Sequence, residues 1–90
     1  MIELGGNIKL EGFEELPREK LIVLKKIIGS FTKEISEQDP EFKQIRITLT
    51  DKYKISIEIT GKKTTLSEIN DQNLFFALSI VLKDAKSKYL

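Results

Sequence analysis

Carboxylates and lysines are the residues of this chain that could take part in catalysis or ligand binding. The sequence contains neither cysteine nor histidine, which excludes thiolate nucleophiles and cysteine-ligated metals and removes the commonest general base near neutral pH. The carboxylates that could act as acids, bases or ligands for hard metals are Asp39, Glu41, Glu58, Glu68, Asp71 and Asp84. None stands in a calcium-loop pattern or beside a credible nucleophile. The sequence therefore predicts structural roles for them, no enzyme activity and no cofactor.

Lysines and arginines form a strip on one predicted helix and smaller groups elsewhere. Fifteen basic and fourteen acidic residues give a net charge of +1, so binding to nucleic acid would require local clustering. Cations along one helix flank can neutralise phosphates, and Gly29 within that flank would allow a close backbone approach. The alternative is an ordinary solvated charged surface. The candidate RNA-binding residues are Arg18, Lys25, Lys26, Lys33, Lys62, Lys63, Lys83, Lys86 and Lys88.

Two apolar side chains near the C-terminus are candidates for protein contact. Residues 71–90 carry an apolar stripe at helical spacing, with Asn70 or Asp71 as the predicted cap. The stripe consists of Leu74, Leu78, Val81, Leu82, Ala85 and Tyr89, and Phe75 and Ala77 widen it. Phe76 and Ile80, one turn apart, fall outside it. They predict either a contact patch for a second copy or another protein, or a site that a loop near Phe13 or Phe42 covers.

Aromatic side chains that could stack on a base are few. Tyr53, Phe42 and Tyr89 are the candidates, but Tyr53 is in register with alternating isoleucines and is expected to face the core. The positions expected on the open face of the sheet contain no aromatic residue: Arg46, Thr48, Lys54, Ser56 and Glu58. A stacking platform is therefore not expected there, and RNA bound by this chain would be recognised by shape and backbone.

The elements that position these residues follow from hydrophobic periodicity. Apolar residues alternate in residues 2–10, although residues 5–7, Gly-Gly-Asn, interrupt them and predict either a hairpin turn or a bulge. Pro17 begins a helix that ends near Gln38, before Asp39-Pro40. Alternation in residues 45–59, broken at Asp51-Lys52, predicts a β-hairpin, and residues 63–69 predict a shorter edge strand.

The element order predicts a single α+β domain over residues 1–90. It is a two-layer sandwich, β-α-β-β-(β)-α, with a three- to four-stranded mixed sheet and both helices on one face. No stretch approaches the roughly 20 apolar residues of a membrane span, and the first residues lack a signal-peptide pattern. A cytoplasmic protein without membrane contact is expected.

Four segments resemble the small ribosome hibernation-promoting factor family. They are IELGGNIKL at residues 2–10, the helix over 21–35, the hairpin over 45–59 and NLFFALS at residues 73–79. The resemblance implies a four-stranded sheet with two helices on one face. It also implies a non-enzymatic, translation-inhibiting role on the small ribosomal subunit, with the basic residues on rRNA. Ser79 stands where that family has an acid, and Phe76 replaces a small residue. Both departures favour a protein contact on the last helix.

Two functional hypotheses follow. The first is a non-catalytic protein that associates with the ribosome or structured RNA through its lysines. The second is a structural or assembly protein that acts by homodimerisation or by another protein contact through Phe76 and Ile80. Dimerising subunits of tRNA-modification complexes share a similar compact plan.

Overall fold

The computed structural model describes residues 2–4, 7–51 and 53–90, and it confirms the predicted α+β class. The chain forms, in order, β1 Ile2–Leu4, β2 Ile8–Glu11, α1 Arg18–Gln38, β3 Gln44–Thr50, β4 Lys54–Thr60, β5 Thr64–Asn70 and α2 Leu74–Tyr89. The sheet has five strands in the order β1-β2-β3-β4-β5, one more than the largest sheet expected from the sequence. The extra strand arises because the first apolar segment forms two strands.

The first segment is a β-hairpin. β1 pairs antiparallel with β2, with Ile2 opposite Leu10 and Leu4 opposite Ile8. Of the two predicted alternatives for residues 5–7, this pairing selects the hairpin, although Gly5 and Gly6 themselves lie outside the described residues. β1 is only three residues long and forms one edge of the sheet.

The remaining strands form a mixed sheet with one apolar face. β2 runs parallel to β3, which the crossover through α1 permits, and β3–β4 and β4–β5 are antiparallel. Ile45 lies opposite Ile59, and Ile47 lies opposite Ile57, so their side chains share the buried face. The predicted edge strand β5 is confirmed and runs over seven residues. Leu66 on β5 points to the opposite, open face and is 65% exposed.

Helix α1 begins one residue after the predicted first residue, Pro17, and ends at Gln38 as predicted. Pro17 precedes its first residue, and the N–H of Asp39 closes the last turn by donating to the carbonyl oxygen of Ile35 at 2.9 Å. Its buried face includes Thr32, which the apolar pattern missed. The Thr32 hydroxyl donates to the carbonyl oxygen of Ile28 at 2.8 Å, so its polar atom is satisfied within the helix.

The N-cap of helix α2 lies two or three residues after the predicted caps, Asp71 and Asn70. The side chain of Asn73 accepts a hydrogen bond from the N–H of Phe76 at 3.1 Å, so Asn73 caps the helix rather than Asn70 or Asp71. Asn70 is the last residue of β5, and the Asp71 carboxylate accepts from the N–H of Asn73 at 2.9 Å. The predicted stripe is confirmed from Leu78 onwards, and Ala77, which was predicted to widen it, is buried as well.

Both helices cover the apolar face of the sheet. Their buried residues form one core with the strand isoleucines, and α2 lies over β4 and β5. An ion pair between Glu34 and Lys86 joins the late turns of the two helices, so the helices run parallel. Within the described ranges, no helix is long and apolar enough to cross a membrane.

Candidate functional site

One flank of α2 carries Phe76 and Ile80 on its surface. Phe76 is 55% exposed and Ile80 is 39% exposed, because the buried stripe of the helix lies on its other side. Neither side chain is covered by a loop, so the structure selects the exposed alternative. Phe76, Ile80, Asp84 and Lys88 are spaced four residues apart and form a single row along the helix. We call these four residues the α2 row.

The α2 row borders the free edge of the sheet. The hydroxyl of Ser67, on β5, donates to Oδ2 of Asp84 at 2.5 Å, which places this part of the row against β5. The Lys88 ammonium lies 3.0 Å from the same Asp84 oxygen. Two hydrogen bonds hold the pKa of the Asp84 carboxyl below its ordinary value of 3.8. The bond from Ser67 has the larger effect and the bond from Lys88 the smaller one. The charged half of the row is therefore internally paired, while its apolar half is uncovered.

Other exposed apolar side chains do not form such a row. Ile22 and Val23 of α1 are 49% and 45% exposed, but consecutive helix residues point about 100° apart. Leu66 lies on the open face of β5. Phe76 and Ile80 thus stand out because they are neighbours on consecutive turns of one helix flank.

The structure distributes the nine predicted RNA-binding residues over three places. Arg18, Lys25, Lys26 and Lys33 lie on α1, Lys62 and Lys63 lie at the turn between β4 and β5, and Lys83, Lys86 and Lys88 lie on α2. Several of them have partners. Lys86 pairs with Glu34 and Lys88 pairs with Asp84, and the Lys62 ammonium lies 5.5 Å from the centroid of the Tyr89 ring. The α2 and turn lysines are therefore interspersed with acidic and aromatic groups.

The basic strip on α1 has a different character. In the part of the chain that the structure describes, no ion pair joins Arg18, Lys25, Lys26 or Lys33 to a carboxylate. From Arg18 to Lys33 the strip extends about 22 Å along the helix. A Cβ atom added at Gly29 would have open space around it, so this glycine serves no close packing contact within the chain. The strip remains available for an anionic partner.

The open face of the sheet carries mixed charge and, at the five positions expected there, no aromatic side chain. Arg46 on β3 lies opposite Glu58 on β4, and its Nε lies 3.8 Å from Oε1 of Glu11. The Lys54 ammonium lies 3.5 Å from Oε2 of Glu68. Lys9 lies opposite Arg46, but the described carboxylates Glu11, Glu58 and Glu68 stand among these cations, so the positive charge on this face is interrupted.

The three candidate stacking aromatics have different surroundings. The expectation for Tyr53 was wrong: it precedes β4 in a turn and is 51% exposed. Tyr53 continues the alternating sequence pattern, but the strand begins only at Lys54, so Tyr53 is not held against the core. Tyr89 is fully buried, which removes it as a stacking residue, and Phe42 is half-buried.

Tyr89 instead joins three elements near the end of α1. Its hydroxyl donates to Oδ2 of Asp39 at 2.5 Å and accepts from the N–H of Lys62 at 3.1 Å. Burial, followed by the bond to Asp39, raises the pKa of Tyr89 above 10.0. The same bond holds the pKa of Asp39 below 3.8. Asp39 also accepts from the N–H of Glu41 at 3.0 Å, so its carboxylate is a structural acceptor at the helix end.

A broad groove that the sequence did not predict lies where both helices begin. It has a volume of about 1100 Å³, and its lining combines apolar and aromatic residues such as Leu16, Phe75 and Tyr53 with charged residues such as Glu15 and Lys20. No metal-binding group of three or more acidic side chains occurs there or elsewhere among the described residues. The groove is identified only from tertiary structure, because its walls come from three regions distant in sequence: the start of α1 with the segment before it, the end of β3 with the turn after it, and the start of α2 with the segment before it.

Comparison with known proteins provides no family assignment. No protein-family model matches the chain, and no curated protein matches it significantly.

Proposed function

We propose that this domain is a non-catalytic assembly module that binds another protein chain through the α2 row. The observation that carries the proposal is the pair Phe76 and Ile80, which remain 55% and 39% exposed on consecutive turns. Aromatic residues are enriched at protein interfaces, where they supply a large apolar contact area. Asp84 and Lys88 continue the same row and already pair with each other, so they provide a polar rim beside the apolar contact.

The energetic gain from covering these two side chains is modest. Full burial of a large apolar side chain contributes about 1.5–3 kcal/mol relative to full exposure. Because each residue is already about half covered, completing both burials contributes on the order of 2–3 kcal/mol. Such a patch can act as the centre of an interface but requires further contacts around it for stable association.

Site-specific photo-cross-linking tests the proposal. A photoreactive side chain at Ser79, which is exposed on α2 three residues after Phe76, should give a discrete adduct with a protein in the cells that produce this chain. The adduct should disappear in a Phe76→Ser background. The matched control carries the same group at Ser30, an exposed position on α1. Absence of a protein adduct at Ser79, or equal labelling from both positions, would contradict the proposal.

The basic strip on α1 supports a second candidate function, binding to structured RNA. The supporting observation is that no ion pair joins its four cations to a carboxylate in the described structure. In the form that the family resemblance suggests, the chain would be a hibernation-type factor on the small ribosomal subunit and would inhibit translation. Its cations would contact rRNA phosphates without reading sequence.

Salt dependence of co-sedimentation with small ribosomal subunits tests this second candidate. If the four cations neutralise four phosphates, the logarithm of the binding constant should fall with the logarithm of salt concentration with a slope of about −3 to −4. The triple variant Lys25→Gln, Lys26→Gln and Lys33→Gln should reduce that slope by about 3. Lys54→Gln, on the open face of the sheet, is the matched control. No association at low salt would refute the RNA function.

A further inference from the structure

The two edges of the sheet differ in how they are protected. β1 has three residues, and such short edge strands offer little backbone for another strand to pair with. β5 has seven residues and pairs with β4 without a break in register. Its sequence, TTLSEIN, contains no lysine, no proline and a single charge. β5 thus lacks the usual features that prevent an edge strand from accepting a partner strand.

The hydrogen bonds between β4 and β5 identify which backbone groups of β5 are free. The N–H of Asp71 donates to the carbonyl oxygen of Tyr53 at 3.0 Å, and the N–H of Gly61 donates to that of Lys63 at 3.1 Å. Bonded pairs recur at every second residue of an antiparallel ladder, so Thr65, Ser67 and Ile69 direct their backbone groups towards β4. The alternate residues Thr64, Leu66, Glu68 and Asn70 direct theirs towards the outer edge.

From this geometry we infer that β5 pairs with β5 of a second copy of the chain, antiparallel and about a two-fold axis at Ser67. This inference rests on the proposed function, because it identifies the partner that the α2 row contacts. With the axis at Ser67, Leu66 lies opposite Glu68 of the second copy, and Thr64 lies opposite Asn70 of the second copy. All four outward-facing residues then pair. An axis at Leu66 would leave Asn70 unpaired.

The same arrangement brings the two α2 helices to packing distance. α2 lies over β4 and β5, so its axis is about half a strand spacing inward from β5. Neighbouring strands are about 4.8 Å apart, which places the two α2 axes about 10 Å from each other, within the usual range for packed helices. Asp84, in the charged half of the α2 row, lies on the β5 side of its helix, because it bonds Ser67. Edge pairing and helix contact are therefore parts of one continuous interface.

Sedimentation and amide exchange test the inference on the full purified chain. The chain should sediment as a species of twice its 10.3 kDa mass at high concentration and dissociate on dilution. In the dimer, the outward amides of Leu66 and Glu68 should exchange slowly, and on dilution they should become fast. The amides of Thr65 and Ser67, which face β4, should stay protected in both states and serve as the internal control.

Two substitutions of opposite charge at position 66 test the register of the strand pairing. Leu66→Asp places a carboxylate opposite Glu68 of the second copy and should weaken dimerisation by at least about tenfold. Leu66→Lys places a cation there and should retain dimerisation. Glu58 also neighbours position 66 within the chain, so the stability of each monomer is measured at low concentration. Equal weakening by both variants would overturn the axis at Ser67.

Two outcomes would overturn the inference without deciding the proposed function. One is a chain that stays at 10.3 kDa across the concentration range, and the other is a dimer whose Leu66 and Glu68 amides remain unprotected. In either case a Ser79 adduct with a different protein would leave the assembly role standing. A dimer with protected outward amides supports both the β5 pairing and the proposed assembly function.

Discussion

The hydroxyl of Tyr89 provides a quantitative test of how the two helices and the turn between β4 and β5 are held together. In Tyr89→Phe the ring stays in the core, but the bond to Asp39 and the bond from the N–H of Lys62 are lost. A hydrogen bond to a charged group contributes about 1.5–3 kcal/mol. We therefore expect the free energy of unfolding at neutral pH to fall by about 2 kcal/mol.

Thermal and urea unfolding followed by circular dichroism measure this loss. The unfolding entropy is about 2.1 cal/mol/K per residue, so for 90 residues a loss of 2 kcal/mol lowers the midpoint temperature by about 10 °C. Tyr53→Phe is the matched control, because Tyr53 is 51% exposed and its loss of a hydroxyl should change stability by less than about 0.5 kcal/mol.

The pH dependence of the stability difference between wild type and Tyr89→Phe provides a second test. The folded pKa of Asp39 lies below its ordinary value of 3.8, first because of the Tyr89 hydrogen bond. This stabilisation is present above 3.8 and is lost as pH falls through the lowered folded pKa. The folded pKa of Tyr89 lies above 10.0, so wild-type stability also falls as pH rises past 10.0. The difference between wild type and Tyr89→Phe should therefore be largest between these limits.

Two results would refute this reasoning. One is a difference below about 0.5 kcal/mol at neutral pH, which would show that water replaces the Tyr89 hydroxyl without loss. The other is a difference that persists unchanged in strong acid, where Asp39 is protonated in both states.

Three further substitutions have expected outcomes. Gly61→Ala should destabilise the fold by more than about 2 kcal/mol in urea unfolding, since its Cβ would lie 2.0 Å from the Tyr89 hydroxyl and 2.8 Å from backbone atoms. Gly29→Ala, with open space around its Cβ, should stabilise by about 0.5–1 kcal/mol, and a loss there would contradict the described helix. Ser67→Ala should raise the pKa of Asp84 towards 3.8, because the hydrogen bond that lowers this pKa most is removed. NMR titration measures the change, and an unchanged pKa would show that Lys88 alone lowers it.

The candidate site was partly predictable from local sequence. Helical spacing placed Phe76 and Ile80 off the buried stripe of α2, and the structure confirms that both are exposed. Spacing could not show whether a loop covers them, because loop position depends on contacts distant in sequence. The same limitation applies to Tyr53. It continues the alternation of the isoleucines in sequence, but it lies one residue before the strand begins.

Charge pairing between different helices and strands could not be predicted from the sequence. Lys86 and Glu34 are separated by 52 residues and meet only because α1 and α2 run parallel. Lys54 and Glu68 meet because β4 and β5 are in register. The strip on α1 was predictable, since a helix fixes which of its own residues share a flank.

The sequence by itself determined the α+β class, the end of α1 and its start to within one residue, and most of the apolar residues of the buried faces. These depend on periodicity, proline and turn chemistry, which act between residues close in the chain. Only the tertiary structure decided that the first segment is a hairpin, that Tyr89 bonds Asp39, and that β5 is a long free edge beside the α2 row. The physical reason is that strand order and the approach of distant side chains depend on how the layers pack, which no local pattern specifies.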